Sequence, residues 1–122
     1  MTISTIFPMR LLFRLVFTTL LIVYFANLAS AKKILIPMDD VQQNHLKAYG
    51  IAYWSLERDV EVQWLLNYRG GSFLVEHYPE IESELIIRGV SFENIADAKA
   101  ASILLEISNP EVNMDAVKLE KA

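Results

Sequence analysis

Apolar residues along the chain follow two patterns. Ile34-Leu35-Ile36-Pro37-Met38 is apolar without a break, which suits a strand covered on both faces, as in parallel α/β sheets. Pro37 lacks the amide a ladder needs, so it belongs near the strand's end. The stretch Val60-Glu61-Val62-Gln63-Trp64-Leu65-Leu66 instead alternates. Val60, Val62, Trp64 and Leu66 share one face, and Glu61, Gln63 and Leu65 share the other. Its half-polar face places it nearer an edge, and a right-handed crossover would run it parallel to the first strand. Phe73-Leu74-Val75 and Val90-Ser91-Phe92 are two further short strand candidates.

Helical spacing fills the gaps. Asp39 and Asp40 mark a helix start, with Gln42 placed as in a capping box. Leu46, Tyr49, Tyr53 and Leu56 then recur at three- and four-residue intervals beside Ala52, predicting an amphipathic helix that stops near Glu57-Arg58-Asp59. Pro79 suits the first position of a second helix, Glu80, Glu82 and Glu84 suit its early turns, and Gly89 suits its end. Asn94 or Asp97 opens a third helix holding Ile103, Leu104 and Ile107, which Ser108-Asn109-Pro110 breaks. The order βαβ(β)αβα makes the fold class α/β. The expected sheet is small, mostly parallel and three- or four-stranded, flanked by helices, with the first strand between the second and third. So small a sheet, followed by the charged and weakly patterned stretch Glu111 to Ala122, reads as an incomplete domain. On this reading residues 32–109 form the α/β module, and 110–122 form a polar segment leading to a missing remainder.

The first 31 residues have a different character. Arg10 and Arg14 precede an uncharged, mainly apolar run from Leu15 to Leu28, and Ala29-Ser30-Ala31 supplies small residues at its end. A positive start, an apolar middle and an A-x-A end define a secretory signal peptide, so the expected destination is periplasmic or extracellular. The alternative is an uncleaved anchor, because the whole uncharged run from Leu15 to Ala31 is at the short end of the ~17–25 residues a spanning helix needs. The membrane is a partner only in that case.

Charge and cysteine content narrow the chemistry. The formal net charge is −4, and without Arg10 and Arg14 the remainder carries 9 Lys/Arg against 15 Asp/Glu, or −6. An acidic chain lacks the cations that neutralise phosphates, which argues against nucleic acid. There is no cysteine, so disulfides, thiol nucleophiles and Cys-ligated zinc are excluded. His45 and His77 lie far apart, each without a second histidine three or four residues away, so no metal site is expected. No cofactor motif is present, and no motif assigns a catalytic residue or an oligomeric state.

In open α/β sheets ligands collect beyond the carboxyl ends of the strands. Three loops would meet there: Met38-Asp39-Asp40, Tyr68-Arg69-Gly70-Gly71-Ser72 and Glu93-Asn94. Asp39 or Asp40 either caps a helix or orients a small polar ligand, and the cap is the simpler reading. Arg69, Gly70, Gly71 and Ser72 either form an anion cradle, with glycine-freed amides beside a cation, or a tight turn between strands.

Three blocks carry a resemblance. They are Ile34-Leu35-Ile36-Pro37-Met38-Asp39-Asp40, Gln43-Asn44-His45-Leu46-Lys47-Ala48-Tyr49-Gly50-Ile51-Ala52-Tyr53-Trp54, and Trp64-Leu65-Leu66-Asn67-Tyr68-Arg69-Gly70-Gly71-Ser72-Phe73. With Pro110 to Ala122, they resemble the N-terminal portion of an exported Bacteroidota family commonly labelled asparagine synthetase B. The resemblance covers essentially all of residues 32–122 and implies the opening part of a longer exported protein. Glutamine-dependent asparagine synthesis itself needs an N-terminal cysteine to attack the glutamine amide and a Ser-Gly-Gly-x-Asp-Ser loop for pyrophosphate. Here Thr2 follows Met1, and Gly70-Gly71 is preceded by Arg69 and followed by Ser72-Phe73-Leu74. Two functions remain open: part of an enzyme, or an extracytoplasmic binding or structural module for a small polar ligand.

Overall fold

A computed structural model describes residues 8–30 and 32–121, with residues 24–30 described by backbone alone. The leader positions 1–7, Ala31 of the expected cleavage site and Ala122 lie outside them. Met1–Ala31 and Lys32–Ala122 are separate compact units. In the first, α1 spans Met9–Ser30. The hydroxyls of Thr18 and Thr19 donate to the carbonyls of Arg14 and Leu15, at 2.7 and 2.8 Å, so neither competes with the helical ladder. No helix among the described residues is long and apolar enough to cross a membrane.

The second unit runs β1 (Lys32–Ile36), α2 (His45–Glu57), β2 (Val62–Leu66), β3 (Ser72–Glu76), α3 (Pro79–Arg88), β4 (Glu93–Ala96), α4 (Asp97–Ile107) and β5 (Asp115–Lys118). These strands form one five-stranded sheet in the order β4-β1-β3-β2-β5. Every neighbouring pair is antiparallel. The expected mostly parallel sheet of three or four strands is therefore wrong in direction and in number.

The cause lies in the turn at residues 67–71. It is too short for a crossover, so β2 and β3 form a hairpin and must oppose each other. β1 and β2 do run the same way, as the crossover rule implies, but they do not touch. β3 fills the slot between them, so of the two neighbours expected for β1 the strand near Val90-Ser91-Phe92 does lie beside it, as β4, whereas β2 does not. The interleaved order of β1 to β4 is the ferredoxin-like, split βαβ arrangement. Here α4 and β5 extend it, so part of the segment expected to be merely polar pairs with β2.

The unbroken apolar run of β1 does report two covered faces. Ile34, Ile36, Val62, Phe73 and Val75 lie beneath α2 and α3, with Ile51, Ile81 and Leu85. Leu35, Leu65 and Leu74 lie on the opposite face with Ala100, Ile103 and Ile107 of α4. Continuous hydrophobicity reflects coverage, and α4 supplies that coverage without any parallel pairing.

Several helix boundaries match the sequence signals, among them the end of α2 at Glu57, the start of α4 at Asp97 and its end before Ser108. Pro79 opens α3, and Gly89 closes it at φ 69°. Others differ. The expected strand at Val90-Ser91-Phe92 forms later, at Glu93–Ala96. α2 starts at His45, because Asn44 rather than Asp39 is its cap, Oδ1 accepting from the Lys47 amide at 3.1 Å. Its buried residues are Ala48, Ile51, Ala52 and Ser55. Of the larger residues expected to face the core, Tyr53 and the 82 % exposed Leu46 do not, and half-exposed Tyr49 reaches it only through a T-shaped contact with Phe73. Small side chains let the helix approach the sheet closely, and the larger ones are displaced to its flank.

Candidate functional site

β1 and β2 run the same way and β4 runs against them, so the end of β1, the β2–β3 turn and the start of β4 meet at one end of the sheet. Arg69 sits at their junction. Its Nε donates to Asp39 Oδ2 at 2.8 Å and its Nη1 to Glu93 Oε2 at 2.6 Å. Asp39 Oδ1 also accepts from the Val41 amide at 3.2 Å, closing a local turn instead of capping a helix. The arginine hydrogen bond holds the Asp39 carboxyl below the usual carboxylate range. The same hydrogen bond, followed by the one Arg69 donates to Glu93, raises the already high pKa of Arg69.

The backbone fastens the same loops. The amide of Met38 donates to Arg69 O at 3.1 Å, and the Ser72 hydroxyl donates to the same carbonyl at 3.1 Å. Gly70 has φ +81°, and a Cβ built there would stand 2.5 Å from the Met38 carbonyl oxygen. Only glycine allows the two loops to approach this closely. Gly71 has φ +88°, and its carbonyl accepts from the Trp64 indole at 2.9 Å. The amides of Gly71 and Ser72 both donate to Tyr68 O at 3.0 Å. Those two amides are engaged within the loop, which is the geometry of a tight turn between β2 and β3.

Of the sequence candidates, the structure thus joins Asp39, Arg69, Gly70, Gly71 and Ser72. Asp40 is exposed and takes no part in this network among the described residues. His45 Nε2 lies 3.1 Å from Met38 O and 3.0 Å from Asp39 O, anchoring the loop to α2. His77 lies apart, 2.7 Å from Glu82 Oε2. No group of three potential metal ligands occurs among the described residues.

The most connected polar side chain is one that the sequence pattern assigned to a capping box, a role it does not play. Gln42 is buried, and its Nε2 donates to Pro37 O at 2.7 Å and to Ser91 O at 2.9 Å. Its Oε1 accepts from the amides of Ser91, at 2.7 Å, and Asn44, at 3.2 Å. Both ends of the amide are therefore satisfied. Gln42 clips the β1–α2 loop to the α3–β4 connection, and the Gln43 amide adds a bond to Ser91 Oγ at 3.1 Å. Glu93 fell within a loop expected at this end, but nothing in the sequence singled it out as the second partner of Arg69.

Chemically, one guanidinium meets two carboxylates, which leaves a formal charge of −1, and the amides of Met38, Gly71 and Ser72 are already engaged. Comparison with protein-family models, curated proteins and solved structures found no match to this chain.

Proposed function

We propose that Lys32–Ala122 is a structural module of an exported protein, delivered by the leader to the periplasm or the cell exterior. In this reading the unit plays the part that its resemblance implies, the opening portion of a longer extracytoplasmic protein. The carrying observation is the double engagement of Arg69 by Asp39 and Glu93. The residues best suited to hold a polar ligand instead hold three loops together.

Two measurements test the proposal. Mass analysis of material secreted by a bacterial host should find a chain beginning at Lys32, and retention of Met1 to Ala31 in the membrane would overturn the export half. For the structural half, Arg69→Met should lower the melting temperature, with no accompanying loss of binding to inorganic phosphate or acetate. Saturable binding of either anion by the parent, abolished in the variant at unchanged melting temperature, would make Arg69 a ligand residue.

A further inference from the structure

The opposite end of the sheet is built differently. There α2 ends, β2 begins and α3 begins, leaving an open cleft of about 410 Å3 between them. Trp54, Val60, Tyr78 and Ile81 make its wall mostly apolar, and Arg58 and Glu80 stand at its rim.

Arg58 is held in a defined pose. Its guanidinium lies 3.7 Å from the centre of the Trp54 ring, and its Nη1 donates to Trp54 O at 3.1 Å. Stacking on an indole favours a planar cation and leaves its edge available for hydrogen bonds. Arg69 and Arg88 both bind carboxylates. Among the described residues Arg58 binds none, so its remaining donors are uncommitted. Glu80, on the first turn of α3, is likewise outside any ion pair among the described residues. A third rim charge, Asp59, is occupied by Lys121 at 3.1 Å.

We propose that this cleft binds a free amino acid with a large apolar side chain. The carboxylate of the ligand meets the edge of Arg58, its ammonium meets Glu80, and its side chain lies against Tyr78 and Ile81. Matching of both charges favours a zwitterion over a simple acid, which Glu80 repels, or a simple amine, which Arg58 repels. The volume suits this class, since it lies near the lower end of the roughly 300–1,000 Å3 range of small-molecule sites. The proposal goes beyond the structural role above and does not depend on export or on Arg69.

The test is calorimetric titration of the full chain with L-phenylalanine, 3-phenylpropionate and phenethylamine. A parallel NMR titration follows the Trp54 indole N–H. L-Phenylalanine should bind saturably and tighter than either one-charge analogue, and should shift the Trp54 signal. Arg58→Ala should weaken it by about tenfold or more, and Glu80→Gln should erase the preference over 3-phenylpropionate. Both positions are exposed, and thermal melts would confirm that the variants fold. The NMR titration of the parent chain needs no variant. Absence of saturable binding at millimolar ligand, equal affinity for all three compounds, or saturation without a Trp54 shift would overturn the proposal.

Discussion

The two ends of the sheet use similar residues to opposite effect. At one end Arg69 is bonded to two carboxylates, Gln42 satisfies four backbone groups, and Gly70 lies against the Met38 peptide. At the other end Arg58 stacks on an indole beside an open cleft. Arginine, acid and aromatic groups occur at both. What distinguishes them is whether each polar group is already used within the fold. Loops that converge at one point fasten one another, whereas elements that diverge leave groups free for other molecules.

That contrast should be visible in stability. The largest effect is expected from Gly70→Ala, which combines a left-handed backbone with a backbone clash that no rotamer can relieve. It should cost about 3 kcal/mol or more. Asp59, at the opposite end, is itself left-handed at φ 61°, so Asp59→Gly should change stability by no more than about 1 kcal/mol. Urea denaturation of both variants checks the pair, and comparable losses would erase the distinction between the ends.

Gln42→Leu should come next, at about 2 kcal/mol, because it keeps side-chain bulk but strands the buried Pro37 carbonyl and the part-buried Ser91 amide and carbonyl. Hydrogen exchange should report this locally. The amides of Ser91 and Asn44 are expected to exchange faster, while those around Arg58 keep their parent rates. Acceleration at both ends would make Gln42 a general core residue rather than a local clip.

The smallest effect concerns acid. Arg69 depresses the Asp39 pKa, so the folded chain binds that proton more weakly than the unfolded chain does. The resulting stabilisation is complete above the unfolded value near 4, and drains away as pH falls through the lower folded value. Urea midpoints measured across that acidic window should fall less steeply in Arg69→Met than in the parent. Equal slopes would show that Asp39 draws nothing from Arg69.

Coverage and the bounds of α3 were legible in the sequence, whereas the cap of α2, strand direction and long-range polar pairing were not. Ile34-Leu35-Ile36 correctly signalled two covered faces, and Pro79 and Gly89 correctly bounded α3. Direction depends on which strand fills the slot beside β1, and no local pattern encodes that choice. The face of α2 was misread because size was taken for burial, while Ala48, Ala52 and Ser55 are the residues turned inward. The meeting of the Asp39, Arg69 and Glu93 loops was expected from strand ends in a parallel sheet. It occurs for a different reason: antiparallel β4 begins where β1 finishes. The Gln42–Ser91 clip joins positions 49 residues apart, beyond the reach of any motif.

The position of β1 also has a consequence in time. Its neighbours are β3 and β4, both far along the chain, and the Lys33–Glu76 pair alone spans 43 residues. The β2–β3 hairpin closes through a five-residue turn at 67–71 and can form early, while distant pairings must first overcome loop-closure entropy. A buried inner strand is therefore made before the others and paired late. A chain arranged in this way leaves its first strand without either neighbour until residues 72–96 have been made.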